Sequence, residues 1–401
     1  MGCGLKKARH VKNTTRAGIY EGWVGFQNLG DEVMYQICKE RFAQIRWASY
    51  GQLSYTPSAE RLLGRAEGTG PRWLQVLRQE MQNPVRLRKL ATQGQHLLAR
   101  VSGGQVGVLG GGTLINRDSS NLAKYLALRK RTKRLVPVFG TGVASPEFWT
   151  GRPGWRDKRK EWVEALEELP VVGVRGPRSL RLLEEAGAKN VVISGDPAIA
   201  CHVRYQNVAA WQRPDRPMRV GINTGDCSGN LWGNADGIHD ALVALARWLR
   251  TEDHEVELLP VWRKDSAANR LVAREAGMVA SSVSEPLLSR EQYLNKVETF
   301  DVVVAVKLHA AVLAAAANIP CVVLAYQPKC QDFAESIGWE RFLIRTDQLS
   351  PVKLIDRVAM LMEELPAARA ELVLQVGQLA RQFEHYCHSI EPMILGSRSQ
   401  V

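Results

Sequence analysis

The chain has 401 residues, 45% of them apolar, and a formal net charge of +12. That length exceeds one ordinary hydrophobic core, so two domains are expected, and the apolar fraction is that of a soluble globular protein. The positive balance favours an anionic partner, such as a phosphorylated metabolite, a lipid-linked phosphate, an anionic membrane face or nucleic acid; charge alone does not choose among them. Seven cysteines, at positions 3, 38, 201, 227, 321, 330 and 387, form no Cys-x-x-Cys pair and no His/Cys cluster at zinc spacing. Neither a disulfide framework nor a structural metal is expected, and a reducing, cytoplasmic setting fits.

Residues 1–16 are basic and aperiodic, as a flexible N-terminus is. Met1-Gly2-Cys3 resembles a lipidation start, but Lys6 stands where myristoylation needs Ser or Thr. Residues 17–23 read as a first strand, a turn with Gly25, Asn28 and Gly30 follows, and residues 33–42 have helical spacing. Asp31 and Glu32 fall in the helix's first turn, where an acid favours the dipole and Asp31 could equally serve as a cap. Residues 50–100, with the basic run Arg86-Leu87-Arg88-Lys89, carry no assignable role. Residues 105–109 form a short apolar run ending in Gly110-Gly111-Gly112-Thr113. Glycines there let backbone N–H groups approach an anion, although a tight turn explains them as well. A helix is expected from about Ser119, a strand at 135–139 and a turn at 140–142. Lys130, Arg131, Lys133 and Arg134 read as a solvated helix end, since no aromatic interleaving supports nucleic-acid binding.

A strand at 171–174 leads into Arg175-Gly176-Pro177, and Pro177 starts a helix over 178–186. Another strand at 191–193 precedes Gly195-Asp196-Pro197-Ala198. Residues 203–218 are polar, contain Pro214 and Pro217, and read as a linker between an N-terminal domain, 17–202, and a C-terminal one, 219–348. The second domain opens with a strand at 219–222 and a polar loop from Asn223 to Gly229. Helix 240–250, strand 255–261, helix 267–276 and helix 290–299 follow, the last begun by a Ser289/Gln292 capping box. Residues 301–306 are apolar on both faces, as a strand covered on both sides is. Lys307-Leu308-His309 then precedes an alanine-rich helix over 310–317, stopped by Asn318 and Pro320 before a strand at 320–326. Those breaks also exclude a membrane span at 310–326. Residues 331–337 are helical, and 349–401 supplies C-terminal helices packing back on the domains. The fold expected is α/β, with two doubly wound, Rossmann-like domains facing across a cleft. Arg175 holds in one half the address that Lys307 and His309 hold in the other, where a strand's carboxyl end meets a helix's amino end.

In these residues the chain resembles the polysaccharide pyruvyl transferase family, over about 18–342. The resemblance lies in Gly25-Phe26-Gln27-Asn28-Leu29-Gly30-Asp31-Glu32, Gly110-Gly111-Gly112-Thr113, Val174-Arg175 with Ser179, Asp196-Pro197-Ala198, Lys307-Leu308-His309, and Tyr326 with Lys329 ahead of Phe333. It implies a fold similar to GT-B glycosyltransferases and transfer of pyruvate from phosphoenolpyruvate to two hydroxyls of a sugar, making a ketal, with no cofactor and no metal. The acceptor implied is a polysaccharide sugar or a lipid-linked oligosaccharide, and peripheral association with the inner face of a membrane is compatible with that role. In one departure, the family usually has Arg where Lys307 stands, exchanging a planar fork for a point charge.

Phosphoenolpyruvate carries roughly three negative charges, counting a phosphate near −2. Arg175, Lys307 and Lys329 are the expected cations, and Asn28, Gly111, Gly112, Thr113, Asn223 and Leu308 complete the expected substrate site. His309 is the expected general acid and Asp31 the candidate base for the sugar hydroxyl. Two other readings share the basic cleft: a GT-B glycosyltransferase using a nucleotide sugar, and a non-catalytic phosphate- or sugar-binding protein.

Overall fold

The computed structural model describes residues 16–49, 105–205, 215–225, 229–279, 282–284 and 288–396. Residues 50–100, the basic start of the chain, residues 206–214 of the expected linker and residues 226–228 of the polar loop lie outside them.

Short apolar runs build parallel strands in both halves. In the first half, β1 (Arg16–Glu21), β2 (Ile45–Ser49) and β3 (Val106–Leu109) form a parallel sheet in the order β2-β1-β3. Beside it, β4 (Gly112–Ile115), β5 (Thr141–Val143), β6 (Val172–Val174) and β7 (Val191–Ile193) run parallel in sequence order. The strand expected at 135–139 is reduced to one bridge, Leu109 with Val138, and β5 occupies the expected turn. Pro137 has no N–H to continue a ladder. Gly140, at φ +74°, then redirects the chain where a Cβ would strike the Pro197 ring. The glycine triplet is likewise less of a turn than expected. Gly110 N–H donates to Glu21 O at 2.6 Å, Gly111 N–H donates to the Tyr20 hydroxyl at 2.7 Å, and Gly112 opens β4.

The second half is one five-stranded parallel sheet of β8 (Arg219–Asn223), β9 (Glu255–Leu258), β10 (Val302–Ala305), β11 (Cys321–Ala325) and β12 (Leu343–Arg345). Its order is β12-β11-β10-β8-β9. Strand order therefore reverses between β8 and β10, and in such sheets the crevice beyond the carboxyl ends at the reversal is where ligands bind. β10 and β11 are buried throughout, as strands covered by helices on both faces must be.

The C-terminal helices expected over 349–401 are two, Pro351–Glu363 and Leu365–Leu395. The first packs against the Ala235–Thr251 helix of the second half. The second reaches the first half, where the Phe383 ring meets Phe139 at 5.6 Å and the Tyr386 hydroxyl donates to Val138 O. Among the described residues no helix is long and apolar enough to cross a membrane. Cys38, Cys201, Cys321, Cys330 and Cys387 are buried free thiols.

Candidate active site

The carboxyl ends of both sets of strands face a cavity of about 670 Å³. The loop after β1 contributes Trp23, Phe26, Gln27, Asn28 and Asp31; the segment at and after β4 contributes Gly112, Thr113 and Arg117; Arg175 follows β6. From the second half come Trp262, Arg263 and Lys264 after β9, Lys307, Leu308 and His309 after β10, and Tyr326 and Lys329 after β11. The halves are joined at its edge: Leu29 N–H donates to Val261 O at 2.8 Å, and Arg263 N–H to Gln27 O at 3.2 Å.

Asn28 starts the Leu29–Arg41 helix, its side chain accepting from Gly30 N–H at 3.2 Å. That leaves Asp31 uncommitted as a cap, and it lies buried in the first turn facing the cavity. Burial pushes its carboxyl above the usual range, against the opposing pull of His309, Arg175 and Lys329. Gly30 has a steric reason to lack a side chain, because a Cβ there would lie 1.8 Å from Nδ1 of His309. The imidazole from one half thus rests on the helix backbone of the other.

On its opposite side His309 Nε2 stands 3.4 Å from Asp196 Oδ2, and Arg175 Nε stands 3.0 Å from the same oxygen. The Arg175 Nε–H is directed at Gly140 O, 2.7 Å away, so its contact with Asp196 is Coulombic rather than a directed hydrogen bond. Burial alone would raise the Asp196 carboxyl, but Arg175 first and His309 second more than offset it and hold it at about 2. Arg175 is 5% exposed and Asp196 2%, so the anion that keeps Arg175 in place is permanent. The ion pair belongs to one half; His309 brings the second half to it.

Lys307 occupies the N-cap position of the Leu308–Ala316 helix, whose first turn opens on the cavity, so dipole and ammonium act in the same sense on an anion. Its Nζ lies 5.0 Å from the Trp262 ring and 5.2 Å from the Tyr326 ring. Lys329, near the start of the Pro328–Ser336 helix, lies over the other reach of Tyr326 at 4.9 Å. Burial lowers the Lys329 ammonium to about 8, with Lys307, Arg117 and Arg175 adding their repulsion. Thr113 Oγ1 is buried with no hydrogen-bond partner among the described residues. A ligand oxygen in the cavity would supply one.

Of the residues expected from sequence, Asn28, Asp31, Gly112, Thr113, Arg175, Lys307, Leu308, His309 and Lys329 line this cavity. Gly111 and Asn223 stand behind its wall. Asn223 Oδ1 accepts the Lys307 N–H at 2.9 Å, and its Nδ2 donates to Leu259 O at 3.0 Å, so it fixes the loop rather than facing a ligand. Asp196 was legible only as part of a short motif, without a role. Arg117, Arg263, Lys264, Trp23 and Trp262 carry no local sequence signal; they reach the cavity because of how the loops fold. Among the described residues no group of three His, Cys, Asp or Glu side chains could hold a metal ion.

A family model for polysaccharide pyruvyl transferases matches residues 28–328. No curated protein matches the chain. Among solved structures it is similar to a putative UDP-N-acetylglucosamine 2-epimerase from Listeria monocytogenes, with 11% identity over 92% of this chain and 94% of that one, at a TM-score of 0.53. It is also similar to the UDP-GlcNAc 2-epimerase from Neisseria meningitidis bound to UDP-GlcNAc, with 8% identity, coverage of 93% and 98%, and a TM-score of 0.52. Similarity to S. aureus MnaA in its UDP co-structure is 12% identity, with coverage of 93% and 97% and a TM-score of 0.50. At such identities the likeness concerns the fold, which is the GT-B arrangement of two Rossmann-like units. With its strands, cavity and family match in agreement, the chain belongs to the polysaccharide pyruvyl transferase family and is a transferase.

Proposed function

We propose that the protein transfers pyruvate from phosphoenolpyruvate to two hydroxyls of a sugar in a polysaccharide or its lipid-linked precursor, forming a ketal. One observation carries this reading: among the described residues, six basic side chains and a single carboxylate, Asp31, line the cavity around a histidine backed by a buried anion. Lys307, Lys329 and Arg175 offset the roughly three negative charges of the donor, and Thr113 offers it a hydroxyl.

His309 gives a proton to the methylene carbon of the donor, whose double-bond electrons take it up and leave an oxocarbenium-like centre at C2. A sugar hydroxyl attacks that carbon, Asp31 accepts its proton, and the C2–O bond to phosphate breaks with the electron pair leaving on phosphate. The second hydroxyl closes the ring. Asp31 passes the first hydroxyl's proton to the departing phosphate and the second hydroxyl's proton restores His309, so the sum is donor plus diol giving ketal plus hydrogen phosphate. Asp196 remains anionic throughout and pairs the imidazolium form of the acid.

The test is incubation with phosphoenolpyruvate and sugar acceptors, reading phosphate release and the proton NMR signal of a ketal methyl group. Phosphate release without a ketal methyl would contradict pyruvyl transfer. A second reading, glycosyl transfer from a nucleotide sugar, draws on the UDP and UDP-GlcNAc complexes of structures sharing the fold; it requires a nucleotide to bind where phosphoenolpyruvate does not. Peripheral association with the inner membrane face, at the cytoplasmic side, belongs to this proposal as the place where a lipid-linked acceptor would be met.

A further inference from the structure

We infer that Trp23 and Phe26 form the acceptor platform, an aromatic lip on which the apolar face of a pyranose ring stacks while its hydroxyls reach the basic floor. The inference rests on the reading of the cavity as a site of transfer to a sugar, and it names the side chains that would recognise that sugar. Among the described residues, the aromatic side chains left strongly exposed are these two, Trp23 at 41% and Phe26 at 42%. They lie together, with ring centroids 5.5 Å apart, and both line the mouth of the same cavity.

The loop that carries them is built to hold this arrangement. Gly25 and Gln27 take left-handed backbone conformations, at φ +88° and +55°, the second unusual for a residue with a side chain. Glu32 Oε1 accepts the Gly25 N–H at 2.6 Å, and from the other half Trp262 Nε1–H donates to Phe26 O at 2.9 Å. Trp23 rests over Gly112, where a Cβ would come within 2.7 Å of its ring. Two large apolar rings are thus fixed toward solvent by contacts from both halves, when a collapsed loop would have hidden them.

The chemistry of the lip differs from that of the floor. Aromatic faces are electron-rich and offer an anion little, so phosphate and carboxylate belong with the lysines and arginines below. A pyranose presents a face of C–H groups that suits an aromatic ring, while its edge carries hydroxyls. Asp31 lines the cavity together with both rings, so a hydroxyl of a stacked sugar has a carboxylate within the same space.

Saturation-transfer NMR with the methyl glycosides of galactose, glucose and N-acetylmannosamine, and with uridine as the rival stacking ligand, tests this in the intact protein. At least one glycoside should be saturated, most strongly at H1, H3 and H5. Trp23→Ala and Phe26→Ala should each weaken that signal by roughly fivefold, the scale of losing one stacked aromatic, while Trp23→Phe keeps most of it. Undiminished saturation in both alanine variants, no saturation of any glycoside, or saturation of uridine instead would overturn the inference. The shift in melting temperature caused by phosphoenolpyruvate, measured on the same samples, separates the two claims. Its absence alongside an aromatic-dependent glycoside signal removes the pyruvyl reading and leaves the platform standing.

Discussion

Gly30 shows how a single atom decides the site. Its missing Cβ leaves the space that His309 fills, so Gly30→Ala must displace the imidazole from its present position beside Asp196. Turnover should fall by about 10²-fold or more, the usual worth of a positioned general acid, with phosphoenolpyruvate affinity changing far less; steady-state kinetics beside a thermal-shift titration checks the split. Asp196→Asn keeps the acceptor for Ala198 N–H but removes the anion beside Arg175. Breaking a buried pair in this way should lower stability by about 3–5 kcal/mol, measured by urea unfolding. Because the folded carboxyl is held at about 2, below its unfolded value, its contribution is complete above the unfolded carboxylate range. It is lost as pH falls from about 4 toward 2, and that part of the acid limb should flatten in the variant. Lys329 has the opposite sense for a base: buried and lowered to about 8, it is partly neutral just above neutrality. An anionic donor should draw a proton onto it, so calorimetry near pH 8 in buffers of different ionisation enthalpy should report proton uptake, absent in Lys329→Met.

At the level of elements, the two halves are joined by a cap that crosses between them. Asp332 Oδ1 accepts the N–H groups of Arg178 at 2.8 Å and Ser179 at 3.1 Å, closing the Pro177–Glu184 helix from the other half, and Ser179 Oγ donates to Oδ2 at 2.6 Å. Asp332→Ala should destabilise by about 0.5–2 kcal/mol, as lost caps do, and Asp332→Asn by less because an acceptor remains; chemical denaturation compares them. Sequence reading fared best where a local rule coincided with the tertiary one. The Ser289/Gln292 capping box is present as expected, and the apolar run before Lys307 is a buried strand. It failed at 135–142, where Pro137 breaks one ladder and three residues, too short a run with Gly142 at its centre to read as a strand, complete another. Asn223 was legible as polar and near the site, but its direction was set by Leu259 and the Lys307 backbone, contacts distant in sequence. The cations Arg117 and Lys264 were illegible for the same reason.

For the molecule as a whole, one site is assembled from both halves, whose three sheets each offer carboxyl ends of their strands. Lys307 stands where the family usually has Arg, between two aromatic faces at 5.0 and 5.2 Å that would also accept a planar guanidinium. Lys307→Arg should therefore retain phosphoenolpyruvate binding, whereas Lys307→Ala should weaken it; a pocket shaped for another anion would instead lose affinity on the arginine exchange. The proposed function requires that this basic cavity hold phosphoenolpyruvate and not a nucleotide sugar. A ligand that binds only the folded chain must raise its melting temperature by mass action, so the direct measurement is thermal unfolding with each candidate at matched concentrations. Phosphoenolpyruvate should stabilise the protein, and this shift should survive in His309→Gln but shrink in Lys307→Ala, with no shift from UDP-N-acetylglucosamine. Stabilisation by UDP-N-acetylglucosamine with none from phosphoenolpyruvate would contradict the proposed function.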